Sequence, residues 1–198
     1  MTERRHEGRD RIIVGISGSS GVIYGVRLLE ALKKYSDAEI HLVISPAAED
    51  NIRIETDRKV EDVKALGDVV YKHNNLAASI SSGSFRTAGM IVVPCSMKSL
   101  SEIAYSNSNN LLARAADVCL KQRRKLVLAV RDAPFNRIHL ENMLRAQLAG
   151  AVIFPIIPTF YDRPKTLDDL VNQFCCRVLA LLDLEQPTQY RWQGERRP

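Results

Sequence analysis

The run Ile12-Ile13-Val14-Gly15-Ile16, followed by Ser17-Gly18-Ser19-Ser20-Gly21, limits what this chain can fold into more than any other stretch. An Ile- and Val-rich segment reads as a buried strand. It empties into glycines and serines before a helical pattern begins at Val22 and runs to about Lys34. Strand, tight turn and helix in that order set backbone N–H groups and three hydroxyls at the positive end of a helix. Aligned dipoles and orphan donors there favour a phosphate. The glycines permit the turn and the close approach of an anion to the main chain. The same turn also serves, with no ligand, as a plain strand-to-helix connection.

Spacing narrows the ligand. Gly15, Gly18 and Gly21 form G-x-x-G-x-x-G rather than the dinucleotide G-x-G-x-x-G, and no Gly-Lys-Ser/Thr follows. The second strand-like run, Glu39 to Ile44, ends in Ser45-Pro46, where a dinucleotide site would place an acidic residue for the ribose. A neutral serine tolerates an anion instead. These features point to a mononucleotide, with FMN the nearest candidate.

Strand-like runs recur at 11–16, 39–44, 89–93, 126–130 and 151–154, with helical segments between them. Continuous Val/Ile/Leu runs are buried on both faces, so the expected fold is α/β: a flavodoxin/Rossmann-like, doubly wound parallel sheet in three α/β/α layers. Asn110 to Arg124 is amphipathic, and a last helix starts at Leu167 with Leu170, Val171, Phe174, Val178 and Leu181 in period and Arg177 at the boundary of that face. Domain limits follow: a polar extension at 1–10, one FMN-binding domain at 11–184, and a tail at 185–198 expected to pack on a neighbouring subunit.

Charge and cysteine usage exclude several classes. A net charge of +5 without a stripe of Lys and Arg suits small anions better than nucleic acid. No apolar stretch reaches membrane-helix length, and the first eleven residues hold no hydrophobic segment, so a cytoplasmic protein is expected. Cys95, Cys119, Cys175 and Cys176 lack C-x-x-C spacing and are expected as reduced thiols, and the four scattered histidines indicate no metal.

In open α/β sheets ligands bind at the carboxyl ends of the strands. The loops expected there are 17–21, 45–46, 94–99, 131–136 and 155–162. They carry Pro94-Cys95-Ser96-Met97-Lys98-Ser99, with Pro94 ending its strand, then Arg131-Asp132-Ala133-Pro134 and Phe160-Tyr161. Ser81-Ser82-Gly83-Ser84 adds a hydroxyl-rich turn. Singly, Arg131–Asp132 reads as a surface pair, Phe160–Tyr161 as core and Lys121 as a cation at a helix C-terminus. Their collection on one expected edge of the sheet favours a site.

Several of these segments together resemble a known family. Gly15–Gly25 (GISGSSGVIYG), Ile80–Phe85 (ISSGSF), Pro94–Leu100 (PCSMKSL), Arg114–Val118 (RAADV), Ile138–Met143 (IHLENM), Phe160–Pro164 (FYDRP) and Arg191–Gly194 (RWQG) are similar to the UbiX/PAD-type flavin prenyltransferases. The resemblance spans about residues 11–194. It implies a homo-oligomeric, commonly dodecameric flavoprotein that joins a dimethylallyl group from dimethylallyl phosphate to N5 and C6 of reduced FMN. It also implies a UbiD-type decarboxylase that receives the product, and no metal.

By the same resemblance Gly18, Ser19, Ser20, Ser45, Ser96, Met97, Lys98, Ser99 and Arg131 would hold FMN. Lys121, Tyr161 and Arg177 would bind the prenyl phosphate, and Ser20, Glu55, Lys121 and Asp132 would take part in the chemistry. The chain departs from the family where Asp132 stands for glutamate, shortening the reach by roughly 1.5 Å. Pro46 replaces a Lys or Trp, and Leu76-Ala77-Ala78 lacks a Trp found in some members. Two other readings stay open: an FMN-dependent cysteine decarboxylase, whose Pro-Ala-Ser-Ala-Asn is absent here, and a non-catalytic FMN carrier.

Overall fold

The structure, a computed structural model, describes residues 9–184 and Gln186. Apart from residues 9, 10 and 186, the expected extension at 1–10 and tail at 185–198 lie outside the described residues. Six parallel strands lie in the order β3-β2-β1-β4-β5-β6. They are β1 (Arg11–Ile16), β2 (Glu39–Ile44), β3 (Val69–Tyr71), β4 (Gly89–Cys95), β5 (Lys125–Val130) and β6 (Val152–Ile153). The helices are α1 (Val22–Tyr35), α2 (Pro46–Glu55), α3 (Val60–Lys64), α4 (Met97–Ala104), α5 (Leu111–Lys121), α6 (Arg137–Leu148) and α7 (Leu167–Ala180).

Strand alternation divides the core into two layers. Ile12, Val14 and Ile16 of β1, with Ile40, Leu42 and Ile44 of β2, face α1, α2, α3 and α7. Ile13, Val43, Met90, Val92, Leu126 and Leu128 face α4, α5 and α6. Both faces of each central strand are therefore apolar, the reason these runs read as continuous hydrophobic stretches. At about 25 cal/mol per Å², such burial outweighs any single polar contact below.

Two expectations need correction. The short edge strand β3 was not expected, because three residues with Val70 exposed leave little periodicity to read. Nor does Pro94 end its strand: β4 continues to Cys95, with the register to β5 shifting between Val92 and Cys95. A bulge absorbs the missing proline donor.

Candidate active site

The strand order reverses direction between β1 and β4, which places the topological switch point between the loops after these two strands. Hydrogen bonds stitch the loops around it. Ser17 Oγ donates to the Pro94 carbonyl at 3.0 Å and accepts from Ser96 N at 2.8 Å. Ser19 Oγ donates to the Arg131 carbonyl at 2.8 Å, and Ser45 N donates to the Ile16 carbonyl at 2.9 Å. The four loops thus form one rim.

That rim encloses a cleft of about 660 Å³, within the usual range for a cofactor pocket. Gly18, Ser19, Ser20, Ser45, Ser96, Met97, Lys98, Ser99, Arg131 and Asp132 all line it. Pro46, in the expected loop 45–46, lines it too, as do His73, Glu102 and Ala47, which were not expected. His73 follows the unexpected β3, so nothing in the sequence located it.

Two helices open onto the cleft by their N-termini. Ser45 caps α2, accepting from Ala48 N at 3.2 Å, and Ser96 caps α4, accepting from Ser99 N at 3.2 Å. These hydroxyls hold their helices, so the remaining first-turn N–H groups supply the positive potential. Lys98 is paired with Glu102 at 2.6 Å, and Glu102 also accepts from Asn110 Nδ2 at 3.1 Å. The Arg131 guanidinium has no carboxylate at ion-pair distance among the described residues and is exposed to the cleft. Burial and then the Lys98 charge push the His73 imidazole below its ordinary pKa, keeping it neutral at pH 7.

The turn after β1 is tightly packed. A Cβ on Gly18 would stand 2.4 Å from Ala47 Cβ, and Gly21 has φ of 94°, in the left-handed region. Gly21 offers no side-chain cap to α1. Glu55 supplies one from the end of α2: its Oε2 accepts from Gly21 N at 2.8 Å and from Val22 N at 3.2 Å. The anion at the α1 N-terminus is therefore a carboxylate of the chain itself, a correction to the expectation of a phosphate there.

Other expected site residues lie outside the cleft lining of a single copy. Tyr161 and Arg177 meet each other, Nη1 to OH at 3.3 Å, with the guanidinium 5.5 Å from the Phe154 ring centroid. Phe154, Phe174 and Tyr24 then form an edge-to-face line, with centroid separations of 5.2 and 4.9 Å, that leads back to Gly21. Lys121 ends α5, four residues before β5 begins, and so sits at the amino edge of the sheet. Arg131 follows the far end of that strand, roughly 20 Å from Lys125 at the rise of an extended chain. The expected gathering on one edge fails for Lys121. Gln122, its neighbour, packs against Gly83 of the serine turn.

Among the described residues no three His, Cys, Asp or Glu side chains cluster as metal ligands, and no helix is long and apolar enough to cross a membrane. All four cysteines are buried.

A nucleotide-sized cleft at the switch point, floored by two helix N-termini and the Arg131 guanidinium, defines a flavoprotein of the doubly wound class. The sequence pattern of the family described as Flavoprotein matches residues 1–178. Flavin prenyltransferase UbiX of Escherichia coli K12 is 52% identical over 186 residues, covering 93% of this chain and 98% of that protein. A crystal structure of AnUbiX (PadA1) in complex with FMN and dimethylallyl pyrophosphate superposes with a TM-score of 0.93 at 47% identity, covering 95% of this chain and all of that one. A dodecameric FMN-dependent UbiX-like decarboxylase from Escherichia coli O157:H7 superposes at 0.91 with 48% identity, covering 93% of this chain and 100% of that one. The chain belongs to the UbiX-like flavin prenyltransferases.

Proposed function

We propose that this chain transfers a dimethylallyl group from dimethylallyl phosphate to N5 and C6 of reduced FMN, and that a UbiD-type decarboxylase uses the prenylated flavin. The observation that carries this reading is the single cleft at the switch point, lined by all nine residues assigned to the flavin. FMN fits the donor set: a phosphate suits the free first-turn N–H groups of α2 and α4 and the unpaired Arg131. When bound, reduced FMN supplies an electron-rich acceptor for the allyl fragment.

The chain's own residues then have distinct tasks. Cations stabilise the phosphate that departs as the allylic C–O bond breaks, each well-placed donor contributing on the order of 3 kcal/mol. Arg177 and Tyr161 bind that phosphate, and the Tyr161 ring faces the cationic allyl fragment, worth about 1–2 kcal/mol when desolvated. Ser20 lines the cleft and would lie near the acceptor nitrogen of a bound flavin. Asp132 and Glu55 are the carboxylates available for the protons released at N5 and C6.

Lys121 enters the site from another copy, because within one chain the sheet separates it from the cleft. The serine turn beside it, 81–84, comes with it and adds hydroxyl donors to the phosphate pocket. An assembly of this kind, a dodecamer by analogy with the bacterial relative, also accounts for a face of α6 on which Leu140, Leu144 and Leu148 are each more than half exposed. The test is anaerobic incubation with reduced FMN and dimethylallyl phosphate, followed by mass spectrometry of the extracted flavin. A flavin heavier by one five-carbon prenyl unit is expected. Unchanged flavin that stays bound would establish the carrier instead.

A further inference from the structure

A row of four side chains runs from β2 to the serine turn, away from the cofactor cleft. His41 is 1% exposed on β2, and its Nδ1 lies 2.9 Å from Tyr71 OH on β3. Tyr71 OH lies 2.7 Å from Ser79 Oγ at the head of the turn. On the other side His41 Nε2 is 2.9 Å from Glu39 Oε1, a contact too bent for an in-line hydrogen bond but close enough for the carboxylate to stabilise a proton there. Tyr71 stacks on the imidazole with centroids 5.8 Å apart, and Phe85 meets it edge-on at 5.2 Å.

A carboxylate only accepts, so the Glu39 charge beside Nε2 favours the tautomer of neutral His41 that carries its proton there, and in that tautomer Nδ1 accepts from the Tyr71 hydroxyl. The phenol oxygen then accepts from Ser79, whose lone pairs are left facing outward. A second proton on His41 turns Nδ1 into a donor. Tyr71 must then accept from it and donate to Ser79, whose own O–H is released outward. One buried proton therefore converts an exposed hydroxyl from acceptor to donor.

The turn that Ser79 heads is held on its other flank as well. Arg114 Nε donates to the Ser81 carbonyl at 3.2 Å, and Arg124 donates to the carbonyls of Gly83 and Phe85 at 2.6 and 2.8 Å. A Cβ on Gly83 would stand 2.7 Å from Gln122 Nε2, so the turn sits directly on the residue after Lys121. The charged groups facing His41 are Glu39 on β2, Arg11 on β1 and Asp68 before β3. Burial is the largest influence on its pKa and lowers it.

We propose that His41 and Tyr71 are positioning residues that set the Ser79 hydroxyl, two residues before the serine turn, toward the prenyl donor's phosphate, as a donor when His41 is doubly protonated. This rests on the reading above, in which Lys121 and the serine turn contact that phosphate. The test is calorimetric binding of dimethylallyl phosphate to the FMN-loaded, assembled protein across mildly acidic to mildly basic pH. Wild type is compared with Tyr71→Phe, Ser79→Ala and Ser79→Thr. The ratio of variant to wild-type Kd cancels the ester's own titration. That ratio is expected to be about tenfold at acidic pH and to fall below about twofold at basic pH for Tyr71→Phe and Ser79→Ala. Ser79→Thr should track wild type, and FMN affinity should be unchanged in all three. A ratio that does not vary with pH, or an equal loss of FMN affinity, overturns the relay alone. A wild-type protein that binds no ester overturns the relay together with the functional reading beneath it.

Discussion

Removing the Glu55 carboxylate opens the N-terminus of α1, and the structure sets the size of the effect. Gly21 provides no side-chain cap, and the first turn of α1 holds no acidic residue. Glu55 Oε2 therefore satisfies two orphan donors from another helix, at 2.8 and 3.2 Å. Losing a cap of this kind costs about 1 kcal/mol, in a range of roughly 0.5–2. For a domain of this size about 1 kcal/mol lowers Tm by roughly 2–4 °C. Glu55→Ala should show that loss in differential scanning fluorimetry at matched protein concentration. Glu55→Gln keeps an accepting oxygen but forfeits the charge–dipole part, about 0.3–1 kcal/mol, and should fall between. The vacated N-terminus is then free for an external anion, which stabilises by mass action. Tens of millimolar inorganic phosphate should raise the Tm of Glu55→Ala more than that of wild type. An Ala variant within about 0.5 °C of wild type, or equal stabilisation of both proteins by phosphate, would refute the capping argument.

Four further outcomes follow from the same geometry. Arg131→Ala removes the free guanidinium of the cleft and should weaken FMN binding by about 1.5–3 kcal/mol, roughly ten- to hundredfold in Kd by flavin fluorescence, while riboflavin affinity stays nearly constant. Gly18→Ala drives a Cβ to 2.4 Å from Ala47 and should cost on the order of 1–3 kcal/mol in urea unfolding, with FMN affinity falling as the turn shifts. His41 has its pKa lowered in the folded protein, so below the unfolded value of about 6.5 the unfolded chain binds the extra proton first. Stability should accordingly fall as pH drops below that point, and His41→Asn should flatten the slope. Burial pushes the Cys95 and Cys119 thiols up to about 12; iodoacetamide at mildly basic pH should leave the native protein unlabelled by mass and label all four cysteines after denaturation.

The sheet was legible because its central strands are buried on both faces. Ile12 to Ile16 and Leu126 to Val130 alternate between two apolar layers, so a parallel sheet covered by helices on both faces hides both sets of side chains. β3 escaped because an edge strand of three residues is shaped by its neighbour: its register comes from pairing His41 with Val69 and Val43 with Tyr71. Pro94 misled for a related reason. A proline signals an end only where its missing donor matters, and here the register shift before Cys95 takes up the loss.

The site was legible in its residue types and less so in their tasks. Ser45 and Ser96 look in sequence like phosphate ligands, yet each hydroxyl caps its own helix, and the anion-binding capacity passes to the N–H groups behind it. Ser19 likewise binds a carbonyl of the Arg131 loop, which fixes the guanidinium's root beside the cleft. A serine-rich turn in sequence gives the number of hydroxyls but not their partners, since those lie 77 to 112 residues away. Lys121 shows the opposite failure. Its charge is plain in the sequence, but its address depends on α5 running back along the sheet, which carries the side chain to the edge opposite the cleft. Residue types in one chain can therefore suggest the cations of a phosphate site and still leave one of them a full strand length from the cleft.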